Sequence, residues 1–216
     1  MSESDPRATV RLGYNRAAAA YLADRRLASP DVLALDYLLR RLSPGALVLD
    51  AGCGAGVPIA ATLAAAHRVV GVDFSTAQLA LARARVPAAA LVCQDLTRLG
   101  FAPNAFDAVV SYYAIIHIPR VFHASLLAAL YRLLKPGGYA FLCLGAADLD
   151  DDIDDNYFGV RMYWSHFDAP TNLGLLGTAG FEVVWHDFIA DSLGDSPPGA
   201  GHLFVLARKP ATIQTP

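Results

Sequence analysis

Short apolar segments alternate with helix-patterned segments through most of this chain, and this alternation limits the possible folds more than any other feature. The runs ALVLDAG, RVVGVDFS and AAALVCQDL are strand-like, and segments with apolar residues at helical spacing separate them. Parallel strands need a crossover connection, which a helix usually supplies. The pattern from Ala46 to Ile189 therefore predicts an α/β fold, with a mostly parallel sheet and helices on both faces.

The remaining elements follow from the same spacing rules. Four more strands are predicted in AFDAVVSYYAII, YAFLCLG, FEVVWHDFI and HLFVLARKP, and helices at 7–28, 31–41, 57–66, 76–85, 119–134 and 169–179. The last two strands flank the turn DSLGDSPPGAG, so we expect a hairpin with an antiparallel final strand. The acidic stretch DLDDDIDDNYFGVRMYWSHFD shows no clean period and is predicted to be a long loop.

Length and charge exclude several classes of protein. A chain of 216 residues fits one domain, residues 1–216, with enough length for a sizeable core. The net charge is −3 and no basic block is present, which argues against a nucleic-acid partner. The first residues lack the apolar core of a signal peptide, and no apolar run is long enough to cross a bilayer. We therefore expect a cytoplasmic protein with no membrane partner.

The cysteines and the acidic run give no indication of a metal site. Cys53, Cys93 and Cys143 lie far apart in the sequence and form no CxxC pattern, so we expect buried thiols in a reducing compartment. The acidic run at 148–155 lacks the Gly and Glu of a calcium-binding loop. It is either a solvated loop or a lid over a substrate pocket.

Three closely spaced glycines follow the first strand, in VLDAGCGAG. Glycine lets the backbone approach a ligand, and the carboxyl edge of an open α/β sheet is where ligands bind. The dinucleotide fingerprint GxGxxG would need a sixth-position glycine, but Val57 stands there. The loop therefore predicts a nucleotide-type cofactor without identifying it.

Two acids end the next two strands. Asp73 follows VVGV, where a carboxylate accepts hydrogen bonds from a ribose diol, as in NAD or other adenosine cofactors. Asp95, in CQDL, ends the third strand, where an acid can accept a hydrogen bond from adenine N6. Each residue has a purely structural alternative, because Asp73 could cap the next helix and Asp95 could belong to a turn.

The segments VLDAGCGAG, VVGVDFS, CQDL, FDAVVSYYAIIHI and LLKPGGYAFLCLG occur in this order, and together they resemble the class I S-adenosylmethionine-dependent methyltransferases. The resemblance covers roughly residues 14–209. It implies a doubly wound sheet of seven strands, in the order 3-2-1-4-5-7-6 with strand 7 antiparallel. It also implies an N-terminal helical cap at 1–43 over the cofactor site, a Rossmann-like core at 44–210 and an active-site loop at 146–168.

The resemblance further implies S-adenosylmethionine as cofactor and S-adenosylhomocysteine as product. The glycine loop would face the methionine end, Asp73 the ribose, and Asp95 with Leu96 the adenine. The implied cofactor-binding residues are Tyr14, Tyr21, Asp50, Gly52, Cys53, Gly54, Asp73, Phe74, Gln78, Asp95, Leu96, Ser111 and Tyr112. Packing roles stay open for one of the two N-terminal tyrosines, and Asp50 could be a buried cap.

Candidate catalytic residues follow the fourth strand or lie in the long loop. His117, in YAIIHIPR, suits a general base because histidine titrates near neutral pH; a packing or capping role is the alternative. His166 and Tyr113 are further candidates, and His123 is expected on a helix surface. Aromatic residues could wall a substrate pocket: Tyr112, Tyr113, Tyr163 and Trp164.

The predicted function is methyl transfer to a small-molecule acceptor at N, O or C. The sequence SYYA after the fourth strand is neither the [DNS]PP[YF] motif of amide or nucleobase methylation nor a magnesium-holding carboxylate pattern. Two alternatives stay open: an NAD-dependent oxidoreductase, and a protein that retains the cofactor pocket without methylating. We expect a monomer or homodimer.

Overall fold

The computed structural model describes residues 5–26, 28–190 and 200–211. In this part of the chain the α-helices are α1 Pro6–Asp24, α2 Pro30–Ala34, α3 Asp36–Leu39, α4 Ile59–Ala64, α5 Thr76–Arg85, α6 His123–Leu133 and α7 Ala169–Thr178. The strands are β1 Leu47–Ala51, β2 Arg68–Asp73, β3 Ala90–Cys93, β4 Phe106–Ser111, β5 Leu134–Gly145, β6 Leu149–Tyr157, β7 Val160–His166, β8 Glu182–Ala190 and β9 Gly201–Arg208. Short 3₁₀ helices cover Leu96–Arg98, Ile115–His117 and Arg120–Phe122. None of the helices described is long and apolar enough to cross a membrane.

Seven strands form one sheet in the order β3-β2-β1-β4-β5-β9-β8. Strands β1 to β5 are parallel, whereas β9 runs antiparallel to both β5 and β8. The predicted fold class and the order 3-2-1-4-5-7-6 are confirmed. The labels differ only because the inserted strands β6 and β7 pair with each other outside this sheet.

Helices cover both faces of the sheet and bury its central strands. On one face α6 packs through Leu126, Leu127, Leu130 and Leu133, which share one side of the helix and are at most 2% exposed. On the other face α2, α3 and α4 contribute a second cluster. Because both faces are covered, the strands are nearly continuous in apolar residues, and the polar groups concentrate at the strand ends.

The irregular loop predicted at 148–168 is wrong, because β6 and β7 form a hairpin there; an active-site role of 146–168 stays a prediction. Aspartate is unfavourable in strands, so the many aspartates of this segment did not predict a strand. Strand β6 is almost wholly exposed and carries the acids, while β7 buries Met162 and Tyr163 against α1. A polar outer strand is tolerated here since its inner partner supplies the apolar contacts.

Several predicted boundaries also need correction. The helix predicted at 31–41 is divided into α2 and α3, and the helix predicted at 7–28 ends at Asp24. The helix predicted from residue 119 begins with a 3₁₀ turn, and its final residue is Leu133. The PGG sequence lies inside β5, where a register shift opposite Phe106 and Ala108 accommodates it. The turn DSLGDSPPGAG lies outside the described residues up to position 199.

Candidate functional site

The glycine loop leaves β1 at the carboxyl edge of the sheet and wraps the end of β2. Gly52 has φ +84°, a conformation that residues with a Cβ rarely adopt, and a Cβ at this position would lie 2.2 Å from the Cβ of Ala114. Gly54 has φ +50°, and its N–H donates to Oδ2 of Asp73 at 2.9 Å. The first two glycines are thus required by backbone shape and by close packing.

Asp73 lies at the end of β2 with both carboxylate oxygens held by backbone. Oδ1 accepts from the N–H of Ser75 at 2.8 Å, and Oδ2 accepts from Gly54. Burial raises the pKa of Asp73 to about 6, although the backbone N–H groups oppose that rise. Ser75, not Asp73, is the side-chain cap of α5. Asp73 is therefore fixed in position beside the glycine loop.

Asp95 follows β3 and has two structural partners. Its Oδ1 accepts from the backbone N–H of Thr97 at 2.8 Å, and its Oδ2 accepts from Nη1 of Arg7 at 3.1 Å. Arg7 lies on α1 with its guanidinium over the ring of Phe122, 4.9 Å from the ring centroid. The acid therefore caps the 3₁₀ turn and also ties α1 to the sheet edge.

One cavity joins these groups. Its walls include most of the predicted site residues: Tyr14, Tyr21, Gly52, Gly54, Asp73, Phe74, Gln78, Asp95, Leu96, Tyr112, Tyr113 and His117. The other lining residues were not predicted: Arg7, Val10, Gln94, Ala114 and Ile118.

Helix α1 closes the cavity from above. Arg7, Val10, Tyr14 and Tyr21 recur at spacings of three, four and seven, so they share one helix face. Asn15, on the same helix, accepts from the hydroxyl of Ser75 at 2.8 Å and from the N–H of Ala77 at 3.2 Å. This amide fastens α1 to α5, and the apolar pattern of the helix alone does not reveal it.

Polar groups without protein partners face this region. Oδ2 of Asp50 and both amide atoms of Gln78 are buried and make no hydrogen bond to the described residues. Burial raises the pKa of Asp50 to about 7, and the charge of Asp73 contributes. Unpaired buried polar groups are costly, so a bound molecule with a cation and hydrogen-bonding groups would satisfy them.

A smaller cavity continues from the glycine loop. Asp50 and Cys53 line it, and it shares Tyr21, Gly52, Gly54, Tyr112 and Tyr113 with the larger cavity. Tyr113 has φ +50°, a strained conformation for a residue with a side chain, directly after β4. The two cavities together therefore contact both sides of the loop.

His117 is buried between α1 and the hairpin. Its Nδ1 lies 2.7 Å from the carbonyl oxygen of Tyr163, so this nitrogen carries the proton and Nε2 accepts from the hydroxyl of Tyr14 at 2.9 Å. Burial lowers the pKa of His117 to about 4. At neutral pH the imidazole is uncharged, and it is a weaker base than the sequence suggested.

Two predicted site residues lie outside both cavities. Nδ1 of His166 lies 2.7 Å from the carbonyl oxygen of Ala147 at the base of the hairpin. Ser111 is buried and donates its hydroxyl to the carbonyl of Ala51, which joins β4 to β1. His123, expected at a helix surface, is instead buried with Nε2 2.9 Å from the carbonyl oxygen of Ile118. Each of these three residues therefore makes a hydrogen bond to a backbone carbonyl and lines neither cavity.

The four aromatic residues predicted to wall a substrate pocket do not all line the same cavity. Tyr112 and Tyr113 line the cavity, whereas Trp164 packs against His117 with ring centroids 5.2 Å apart. Tyr163 lines an open groove on the far side of Arg7. In the part of the chain that the structure describes, no group of three His, Cys, Asp or Glu side chains is arranged to hold a metal ion.

Residues 48–138 match a family model described as a methyltransferase domain. A demethylmenaquinone methyltransferase of Symbiobacterium thermophilum is 35% identical over 136 residues, which cover 57% of this chain and 51% of that protein. A 24-methylenesterol C-methyltransferase of Arabidopsis thaliana is 33% identical over 112 residues, covering 49% of this chain and 30% of that protein. The chain thus spans about half or less of the length of these curated relatives.

A solved structure shares the fold. The 1,6-didemethyltoxoflavin-N1-methyltransferase of Burkholderia thailandensis, solved with 1,6-didemethyltoxoflavin and S-adenosylhomocysteine, superposes with a TM-score of 0.68. The match covers 92% of this chain and 85% of that one, at 23% identity. At this identity the likeness shows a common fold alone.

Proposed function

We propose that this chain carries a class I S-adenosylmethionine-dependent methyltransferase domain and transfers a methyl group from S-adenosylmethionine to a small-molecule acceptor. One observation carries the proposal. Along the two adjacent cavities, the glycine loop with Asp50, then Asp73, then Asp95 follow one another in the order of methionine, ribose and adenine. The chemistry of each group suits the part of the cofactor that it would meet.

The residues present fit this cofactor. Oδ2 of Asp50 is buried and has no hydrogen-bond partner among the described residues, and the α-ammonium of the methionine part would supply one. Asp73 would accept hydrogen bonds from the ribose hydroxyls beside the bonds it already makes, and Asp95 with Leu96 would border the adenine. The amide of Gln78 has donors and acceptors unused. When bound, the cofactor supplies an activated methyl group on a sulfonium.

The protein would then act mainly by positioning. Methyl transfer is an in-line displacement, so orientation of the two reactants and exclusion of water lower its barrier. Tyr14 and Tyr21 on α1 form an aromatic wall of the kind that stabilises a nearby cation. Phe74 and Leu96 add apolar lining. Helix α1 covers these groups and keeps solvent from the reacting centre.

His117 is proposed to position Tyr14 rather than to remove a proton. Its protonated Nδ1 faces a carbonyl and its Nε2 holds the Tyr14 hydroxyl, so both ring nitrogens are engaged. A pKa near 4 also makes it a poor base at neutral pH. Tyr113 remains a candidate for contact with the acceptor, since it lines both cavities. No contact of His166 supports a catalytic role.

The acceptor is proposed to be a small organic molecule, methylated at nitrogen, oxygen or carbon. The relatives whose names specify demethylmenaquinone and 24-methylenesterol, and the structure with 1,6-didemethyltoxoflavin, support this class. A net charge of −3 gives no support for nucleic acid. We propose a cytoplasmic location and a monomer or homodimer; three free thiols support a reducing compartment.

Two measurements test the function. Calorimetric titration with S-adenosylmethionine, S-adenosylhomocysteine and NAD should detect binding of the first two alone. Incubation with methyl-labelled S-adenosylmethionine and a panel of quinols, sterols, phenols and amines should then label one class. Binding of NAD alone would favour an oxidoreductase. Tight binding of S-adenosylhomocysteine without labelling of any acceptor class would favour a protein that retains the pocket but does not methylate.

A further inference from the structure

We propose that Phe158, at the tip of the β6–β7 hairpin, limits the size of the methyl acceptor that can reach the reacting centre. The inference rests on the proposed function and adds a specificity-determining residue to it. It starts from Tyr21, which lines both cavities, and from the ring of Phe158, whose centroid lies 5.8 Å from that of Tyr21. The tip of the hairpin therefore packs directly on a wall of the ligand site.

The two cavities share the part of their walls where the methyl group would lie. In the proposed orientation, the methionine part occupies the smaller cavity beside Asp50, and the ribose lies beside Asp73 in the larger one. The sulfonium joins these two parts. It would therefore lie along the lining that both cavities have in common: Tyr21, Gly52, Gly54, Tyr112 and Tyr113. An acceptor has to come close to this shared wall, because in-line displacement requires contact with the methyl group.

Phe158 has a backbone conformation that its side chain disfavours. Tyr157 pairs with Val160, so Phe158 and Gly159 form a two-residue turn, with φ +50° and +77°. Hairpin turns with positive φ at both positions favour Asn-Gly, and a bulky residue in this conformation is strained. The turn alone would form better with asparagine, so the contacts of the aromatic ring have to offset the strain.

The contacts of the Phe158 ring lead to the cavity wall. Besides Tyr21, the ring packs edge-on against Tyr157, with centroids 4.8 Å apart. Tyr157 in turn lies 5.0 Å from Trp164 and 6.5 Å from Tyr21, measured between ring centroids. Phe158 itself lines neither of the two cavities. Removing its ring would therefore uncover Tyr21 without removing a group that faces the cofactor.

The inner strand of the hairpin is held against α1, which fixes the position of the tip. Strand β7 lies so close to α1 that a Cβ on Gly13 would lie 2.9 Å from both the carbonyl oxygen of Arg161 and Cε of Met162. Met162 and Tyr163 are buried in the same contact. Since packed interiors yield little to added volume, an aromatic ring held over Tyr21 restricts a bulky acceptor by steric contact.

The test compares methylation of a smaller and a larger acceptor of the same chemistry. Three pairs serve as probes with methyl-labelled S-adenosylmethionine: hydroquinone with naphthohydroquinone, phenol with 2-naphthol, and aniline with 2-naphthylamine. In the pair that is labelled, Phe158→Asn should raise kcat/KM for the larger member relative to the smaller at least tenfold, mainly through KM. Ile153→Asn, at an exposed apolar position on β6 of the same hairpin, is the matched control and should leave this ratio unchanged.

Two further measurements distinguish this role from a structural one. Because asparagine suits the turn, the thermal midpoint of Phe158→Asn should equal or exceed that of the original protein. The affinity for S-adenosylhomocysteine should change less than twofold, since Phe158 does not line the cavities. The same should hold for 5′-methylthioadenosine, which keeps the adenosine and thioether without the amino-acid part.

The outcomes separate the two proposals. If Phe158→Asn changes kcat/KM for both members of a pair equally, or for neither, Phe158 only packs the hairpin, and this inference is wrong while the proposed function stands. The inference is also wrong if the unaltered protein methylates the larger member at least as fast as the smaller, or methylates sterols alone. If the unaltered protein labels no acceptor, the proposed function fails and takes this inference with it.

Discussion

The carboxylate of Asp73 accepts hydrogen bonds from two backbone N–H groups and lines the larger cavity. Removing the carboxylate in Asp73→Ala deprives the proposed ribose hydroxyls of a charged acceptor. We expect cofactor affinity to fall roughly 10- to 150-fold, because hydrogen bonds to charged groups contribute about 1.5–3 kcal/mol. Since methylthioadenosine keeps the ribose, calorimetry should register a similar loss for that ligand and for S-adenosylhomocysteine. Unchanged affinity for both would remove Asp73 from the binding site.

Asp50 should make cofactor binding depend on pH. Its pKa is raised to about 7, chiefly by burial, so the group is mostly protonated at pH 6 and mostly ionised at pH 8. Only the ionised form pairs with an ammonium, so the affinity for S-adenosylhomocysteine should rise across this range. Methylthioadenosine has no ammonium and should show a smaller rise, which Asp73 alone would cause.

The variant Asp50→Asn is the control for this pH dependence, and it should abolish the difference between the two ligands. The free energy of unfolding gives an independent check. Because the folded pKa lies above the usual 3.8, the ligand-free protein loses stability as pH rises from about 4 to 7. Asp50→Asn should therefore be more stable than the original at pH 8, by roughly 2–4 kcal/mol. A less stable variant would contradict the assignment of an unpaired buried charge.

Among the elements, α1 is the cover of the cavity, and the amide of Asn15 is one of its attachments. Asn15→Ala removes the acceptor for Ser75 and Ala77. We expect unfolding free energy to fall by about 1–2 kcal/mol and cofactor affinity to fall several-fold, because the cover is less firmly held. Thermal unfolding and calorimetry measure the two effects. Arg16→Ala, at the exposed next position, should change neither, and an equal effect there would argue against this attachment.

The secondary-structure elements also show how much of the fold could be predicted from the sequence. Strands β1, β2 and β4 are largely buried, so their apolar runs predicted them from the sequence. The glycines and two aspartates predicted the edge of the sheet at which the larger cavity lies. The β6–β7 hairpin was missed, because strand β6 is acidic and is held by its neighbour rather than by its own apolar pattern. Secondary structure set by tertiary context is not visible in local periodicity.

The same limit applies to single residues of the site. Arg7 is an ordinary charged position in the sequence, and its contact with the cavity wall depends on a partner 88 residues away, Asp95. His117 was predicted from its position after β4, and the structure places it in the 3₁₀ helix that follows this strand. Its protonation depends on the carbonyl of Tyr163, on a hairpin that the sequence did not reveal.

For the molecule as a whole, ligand binding should shift the unfolding equilibrium. A ligand at 100 times its Kd stabilises the native state by about 2.7 kcal/mol, which is about 5–10 °C in Tm for a domain of this size. S-adenosylhomocysteine should produce such a shift in a thermal scan, and NAD at the same concentration should not. A shift with NAD and none with S-adenosylhomocysteine would reverse the choice of cofactor.

The central claim is that adenosine lies along the carboxyl edge of the sheet and that the amino-acid end lies against the glycine loop. A crystal structure with S-adenosylhomocysteine is its most direct test. We predict ribose hydroxyls within hydrogen-bond distance of Asp73, adenine beside Asp95 and Leu96, and the ammonium at Asp50. A ligand bound elsewhere, or one lying in the opposite direction along the cavity, would contradict the account.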